Sequence, residues 1–178
     1  MKATKRKIEI WIICATALCI VILASCKTTT DHSANQVSKS ELMNAAEELD
    51  SLFLVAFNNG DLDAIMNLHW NSPELHAYPP VGDPHLNGYE AVKEMYKRDF
   101  NMNKGAKLEY LTVNNTPFSD VVVGHGTFRW TMPIEGGAPM VFDGRYTEVK
   151  AFKDGKMRIL LDHTSAPFPP PADTTQVQ

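Results

Sequence analysis

His163 and Asp162 sit side by side near the end of the chain. A neutral imidazole titrates close to working pH, so His163 can move a proton or hold a ligand oxygen. Adjacent residues of a strand point to opposite faces, so Asp162 is not expected to orient His163 directly. The alternative is that His163 packs at the end of a sheet. Arg145 and Glu148 lie in an otherwise apolar stretch, where a charge is costly unless it is paired or serves a ligand. The planar fork of Arg145 suits a carboxylate; equally, Arg145 and Glu148 can join surface ion pairs with Arg129 or Lys150. Trp130, between Arg129 and Thr131, is either a pocket wall or an aromatic of the core or of a subunit interface. His69, His76 and His85, with Asp83 nearby, are metal-ligand types. Their spacing matches no helical His pair, and Asp83-Pro84 is turn chemistry, so a loop is expected and no metal. Gly124-His125-Gly126 reads as a bulge or bend in a strand. The chain shows no Gly-rich phosphate cradle and no nucleophile elbow, and no cofactor is expected.

The elements that would position these residues change once along the chain, from helical to strand-like. Ser40 is expected to cap a helix with apolar residues Leu42, Ala45, Ala46, Leu49, Leu52, Phe53 and Ala56, ended by Asn58-Asn59-Gly60. Asp61 caps a short second helix. A strand-like piece from Glu74 to Tyr78 and a Pro- and Gly-rich loop from Pro79 to Gly88 lead to a third helix, Tyr89 to about Phe100. Strands follow over Lys107–Thr116, Val121–Pro133, Met140–Phe152 and Met157–Thr164, with turn signals between them. Plain alternation puts Met157, Ile159, Leu161, His163 and Ser165 on one face of the last strand, and Arg158, Leu160, Asp162 and Thr164 on the other. Helices first and long strands last predict an α+β domain, three N-terminal helices packed on an antiparallel sheet.

The N-terminus bears on location. Lys2, Lys5, Arg6 and Lys7 precede an apolar run from Ile8, which closes on Leu23-Ala24-Ser25-Cys26. This resembles a bacterial lipoprotein signal peptide with its lipobox. The resemblance implies cleavage before Cys26, acylation of Cys26, and a lipid-anchored place in the cell envelope. Lys27 in the next position implies the outer membrane, with the domain facing the periplasm. An uncleaved N-terminal anchor is the alternative, since the apolar run approaches the ~20 residues that span a bilayer. Cys14, Cys19 and Cys26 are the three cysteines, so the processed domain has neither disulfides nor a cysteine nucleophile. Residues 1–25 hold four basic residues and one acid, so the processed chain carries −7 where the whole carries −4. That charge repels phosphate backbones, and no nucleic-acid partner is expected. The expected organisation is a signal peptide over 1–25, a flexible tether over 26–39, one domain over 40–167 and a Pro-rich tail over 168–178.

Asp61-Leu62-Asp63-Ala64-Ile65-Met66 with Trp70, Gly88-Tyr89-Glu90-Ala91-Val92, Gly144-Arg145-Tyr146-Thr147-Glu148-Val149, and Asp154-Gly155-Lys156 leading to Asp162-His163-Thr164-Ser165 resemble the SnoaL-like branch of the NTF2-like superfamily, which includes the association domain of calmodulin-dependent kinase II. The resemblance implies a cone, in which a curved sheet wraps the first helix and leaves a pocket at its open end. It places Tyr78, Trp130, Arg145, Glu148, Asp162 and His163 at the mouth, with His163 and Asp162 as the catalytic candidates. It also implies a homodimer through the sheet and a small organic ligand. Isomerases, dehydratases, cyclases and pure assembly domains share this scaffold. Met157 stands where the family usually has tryptophan, and the family's Asp/His and Tyr/Asp catalytic pairs match no motif here.

Overall fold

The computed structural model describes residues 37–166 apart from 81 and 83. The expected signal peptide, Cys26, most of the expected tether and the Pro-rich tail lie outside the described residues. Among those described, no helix is long and apolar enough to cross a membrane.

The first helix, α1 (Lys39–Asn59), starts earlier than the Ser40 cap anticipated. Ser38 is the cap, because Glu41 falls three residues after it. The Ser38 hydroxyl accepts from the Glu41 amide, and the Glu41 carboxylate accepts from the Ser38 amide at 2.8 Å, closing a capping box. Val37 packs against the core beside it. Leu42, Ala46, Leu49, Asp50, Phe53 and Ala56 form the buried stripe of α1, and Gly60 ends it in the left-handed region at φ 64°. Asp61 caps α2 (Leu62–Asn67) by accepting from the Ala64 amide. After the short strands β1 (His76–Tyr78) and β2 (Leu86–Asn87) comes α3 (Tyr89–Met102), which buries Val92, Met95 and Tyr96.

Four long strands complete the fold: β3 (Lys107–Phe118), β4 (Val121–Met132), β5 (Met140–Lys153) and β6 (Lys156–Ser165). The sheet runs β2-β1-β6-β5-β4-β3. Its pairs are antiparallel except β1 with β6, which run parallel. The anticipated antiparallel sheet therefore gains a short parallel edge: the chain leaves β1 through β2, α3 and the long strands β3, β4 and β5 before β6 returns beside it. The turn at Asp154-Gly155 has φ of 53° and 75°, the paired positive values of a tight hairpin whose twist matches its strands.

Two bulges decide which residues face the helices. On β3 the register jumps at Leu111, and on β6 it jumps at Leu160: Lys150 pairs with Ile159 and Val149 with Leu161. An extra residue reverses the alternation that follows it. Met157 and Ile159 therefore share the helix-covered face with Asp162 and Thr164. Leu161 and His163 go to the opposite face, which corrects the split expected from plain alternation. Met157 and Ile159 are buried with Val122 against α1, Met157 filling the place the family gives to tryptophan.

Candidate functional site

The helix-facing side of the sheet can be read as rungs across β4, β5 and β6. Gly124, Glu148 and Asp162 form one rung; Gly126, Tyr146 and Thr164 form the next. Phe128 pairs with Gly144 and with Tyr110 of β3, and Trp130 pairs with Phe142 and with Leu108. With α1 and α3 closing over them, these rungs leave a cavity of about 80 Å³, counted as space open to the centre of a water molecule. That holds several waters or a small organic group. Its walls are mainly aromatic: Phe53 and Phe57 from α1, Tyr96 from α3, and Tyr110, Phe128, Trp130 and Tyr146 from the sheet, with Asp99, Glu148 and Asp162 as the acidic members. Among the described residues no lysine, arginine or histidine lines it.

A buried polar network adjoins the Glu148 rung. Lys150 is 0 % exposed and donates to Asp50 of α1. It also donates to Asn115 Oδ1 at 3.2 Å, while Asn115 Nδ2 donates to Asp50 Oδ2 at 2.8 Å. Gly124 makes room for this: a Cβ there would lie 2.9 Å from Asn115 Oδ1 and 3.1 Å from Lys150 Nζ. Glu148 Oε2 is 3.4 Å from the same ammonium but has no well-directed hydrogen bond. One lysine thus faces two buried acids, with Asp50 holding the closer contact. Burial, reinforced by Asp50 and offset in part by Lys150, pushes the Glu148 carboxyl up to about 7. Burial and the opposed Glu148 push Asp162 well above the carboxylate range, as expected for like charges directly across two strands. Burial also raises the Tyr96, Tyr110 and Tyr146 hydroxyls. Two further polar atoms on wall residues, Tyr146 Oη and Trp130 Nε1, are buried with no hydrogen-bond partner.

Of the residues singled out from the sequence, Trp130, Glu148 and Asp162 line the cavity. Arg145, His163 and Tyr78 do not. Arg145 lies one residue from Tyr146 and so on the other face, exposed, while the bulge at Leu160 carries His163 outward. There Tyr78, opposite His163 in register, stacks on His85 at 4.6 Å and meets the His163 ring edge-on at 5.8 Å. The exposed ion pair of β4 and β5 joins Arg129 to Asp143 at 2.8 and 2.9 Å rather than to Glu148. His69 is buried, 2.8 Å from the Ile65 carbonyl, and burial lowers its pKa to about 4. His76 Nδ1 lies 3.0 Å from His85 Nε2. Among the described residues no group of three metal-ligating side chains forms. The sequence marks Lys150 only as a surface ion partner, where it is fully buried, and does not mark Asp50, Asn115, Tyr146, Tyr96 or Tyr110 as site residues. A signal for two of them existed: Asp50 interrupts the apolar stripe of α1, and Lys150 shares its alternation with Glu148.

The raised Glu148 pKa gives a signed prediction. A carboxyl held near 7 in the fold and near 4.5 in the unfolded chain binds its proton more tightly when folded. Its contribution is present below 4.5 and lost as pH rises through 7. The stability of the native chain relative to Glu148→Gln should fall across that window by on the order of 3 kcal/mol and stay level above it. His69, whose lowered pKa acts in the opposite sense, is common to both proteins and cancels. Denaturant melts at a series of pH values read this directly, and a flat difference would contradict the burial assigned to Glu148.

Comparison with known proteins follows the fold. A family model described as a SnoaL-like domain matches residues 47–169, and the chain belongs to that family. Among solved structures, an NTF2-like superfamily protein from Salmonella enterica is 19% identical over 77% of this chain and 99% of its own, with a TM-score of 0.67. A candidate dehydratase of the NTF2-like family from Streptomyces avermitilis is 15% identical over 74% of this chain and 100% of its own, TM-score 0.65. A candidate calcium/calmodulin dependent protein kinase II association domain from Xanthomonas campestris is 21% identical over 76% and 96%, TM-score 0.61. These likenesses establish an NTF2-like fold. No curated protein matches the sequence.

Proposed function

We propose that the domain binds a small organic molecule in its aromatic cavity while tethered to the cell envelope through lipid on Cys26. The observation that carries the reading is the pair of unpartnered buried polar atoms, Tyr146 Oη and Trp130 Nε1, on the walls of a largely apolar cavity. A buried hydroxyl or indole N–H without a partner costs ~1–3 kcal/mol, which a ligand oxygen or nitrogen would recover. An apolar cavity with a few convergent polar groups is the usual form of a small-molecule site. The lipobox-like Leu23–Cys26 stretch supports the anchor and, with Lys27, an outer-membrane place facing the periplasm. The far side of the sheet supports a homodimer: Val123, Val149 and Leu161 align there in register, and Val141 is exposed.

A second reading, catalysis, is favoured by one observation. Glu148, poised near neutrality, lies opposite Asp162 in the cavity, an arrangement suited to accepting a proton with one carboxyl and returning it from the other. The candidate dehydratase among the structural relatives fits this reading. A pure assembly domain would need neither the cavity nor its unpartnered groups.

Native mass spectrometry of the chain extracted from its own membranes tests the proposal in one experiment. The expected spectrum shows a dimer whose subunits begin at a diacylated Cys26 and carry a small-molecule adduct that is lost in Tyr146→Phe, Trp130→Phe. An unmodified, ligand-free chain would contradict it.

A further inference from the structure

Resting on the reading that the cavity takes a small organic molecule, we propose that this molecule is a cation, its ammonium group held between the opposed carboxyls of Glu148 and Asp162 and against the rings of Tyr96, Tyr110 and Tyr146.

The first argument is charge. Among the described residues three acids, Asp50, Glu148 and Asp162, lie in the interior, and Lys150, the cation there, has its ammonium engaged by Asp50 and Asn115. No basic side chain is among the described residues that line the cavity. The two residues that would have received an anion, Arg145 and His163, are on the other face of the sheet. An anionic ligand would therefore find only neutral donors, such as the Trp130 indole N–H, beside the acids and ring faces. An ammonium group supplies the positive charge that the Glu148–Asp162 rung lacks.

The second argument is the wall. Tyr96, Tyr110 and Tyr146 come from α3, β3 and β5 and surround the two carboxyls, with Tyr110 and Tyr146 ring centroids 5.0 Å apart. Aromatic faces attract cations, more so where water is excluded. Tyr146 is 4 % exposed and its hydroxyl has no partner, so its oxygen is free to accept from an ammonium N–H. Without a ligand, burial and the opposed Glu148 raise the Asp162 pKa and so favour its protonated form, which eases the repulsion across the rung. Entry of a cation favours ionisation and releases the proton. The titratable and charged groups around this rung are Lys150 on β5, Asp50 on α1, Tyr96 and Asp99 on α3, and Tyr110 on β3; Asp99 is itself within 3.3 Å of Arg98.

The test is calorimetric titration of the full-length chain at about pH 7.5, a point just above the Glu148 transition, with three probes of one shape: benzylammonium, benzyl alcohol and benzoate. The expected result is that benzylammonium binds at least about tenfold more tightly than either of the others. Its binding heat should vary with the ionisation enthalpy of the buffer, reporting proton release. Asp162→Asn should cut the preference for benzylammonium over benzyl alcohol; if that variant does not fold, Glu148→Gln serves in its place. Benzyl alcohol or benzoate binding as tightly as benzylammonium would overturn the cationic assignment and leave the cavity reading standing. No binding by any of the three would overturn both.

Discussion

Lys150→Met should destabilise the domain by ~3–5 kcal/mol, the scale of stranding buried charges by removing one partner. The ammonium is completely enclosed and serves Asp50, Asn115 and Glu148 at once. Without it, two acids are left in a dry interior with no cation beside them. Loss of the charge alone does not set the cost, because a buried pair replaced whole by apolar side chains is often neutral or stabilising. Asp50→Leu combined with Lys150→Met should therefore recover part of the loss. Recovery stays incomplete because Asn115 forfeits both its partners. Urea unfolding of the single and double variants checks the order, and a double variant less stable than Lys150→Met alone would show that the network contributes more than its charge balance.

Gly126→Ala should cost about 3 kcal/mol, at the upper end of overpacking effects. A Cβ at Gly126 would sit 2.0 Å from the Thr112 carbonyl oxygen and 2.9 Å from Tyr146 Cε1. The first obstacle is backbone, held there by the bulge at Leu111, and cannot swing aside as a side chain would. Either strands β3 and β4 separate or the bulge is lost, and in both cases Tyr146 moves from the cavity wall. Gly137→Ala is the control. Its backbone is ordinary and the added methyl would meet only Ile134, at 3.4 Å, so its effect should stay within about 0.5 kcal/mol. Equal losses in the two variants would refute the close approach at Gly126.

The contrast between these glycines shows where the sequence was legible. The three helices could be placed because their apolar spacing and caps are local signals: Asp61 caps α2, and Gly60 ends α1 in the left-handed region. The start of α1 was misplaced by two residues because Ser38 and Ser40 are both good caps, and only the reach of Glu41 decides between them. The four long strands were legible from their length and turns. Their faces were not, because a one-residue bulge leaves no compositional mark: Leu160 is as apolar as its neighbours, yet it sends Asp162 inward and His163 outward. Gly124 and Gly126 looked like a bend and are instead clearance for Lys150 and Tyr146, arriving from another strand. Asp50 and Lys150 stand a hundred residues apart, and no spacing rule links them. What is visible beforehand is only that each is a charge in an apolar pattern, which needs a partner somewhere.

The cavity as a ligand site is tested most directly by an experimental structure of the chain purified from its native source, at a resolution that distinguishes water from an organic molecule. The expected result is continuous density between Tyr96, Tyr110 and Tyr146, with a polar atom within hydrogen-bond distance of Tyr146 Oη. A cavity closed by collapsed Tyr146 and Trp130 side chains, or filled only by ordered water that satisfies both, would contradict it.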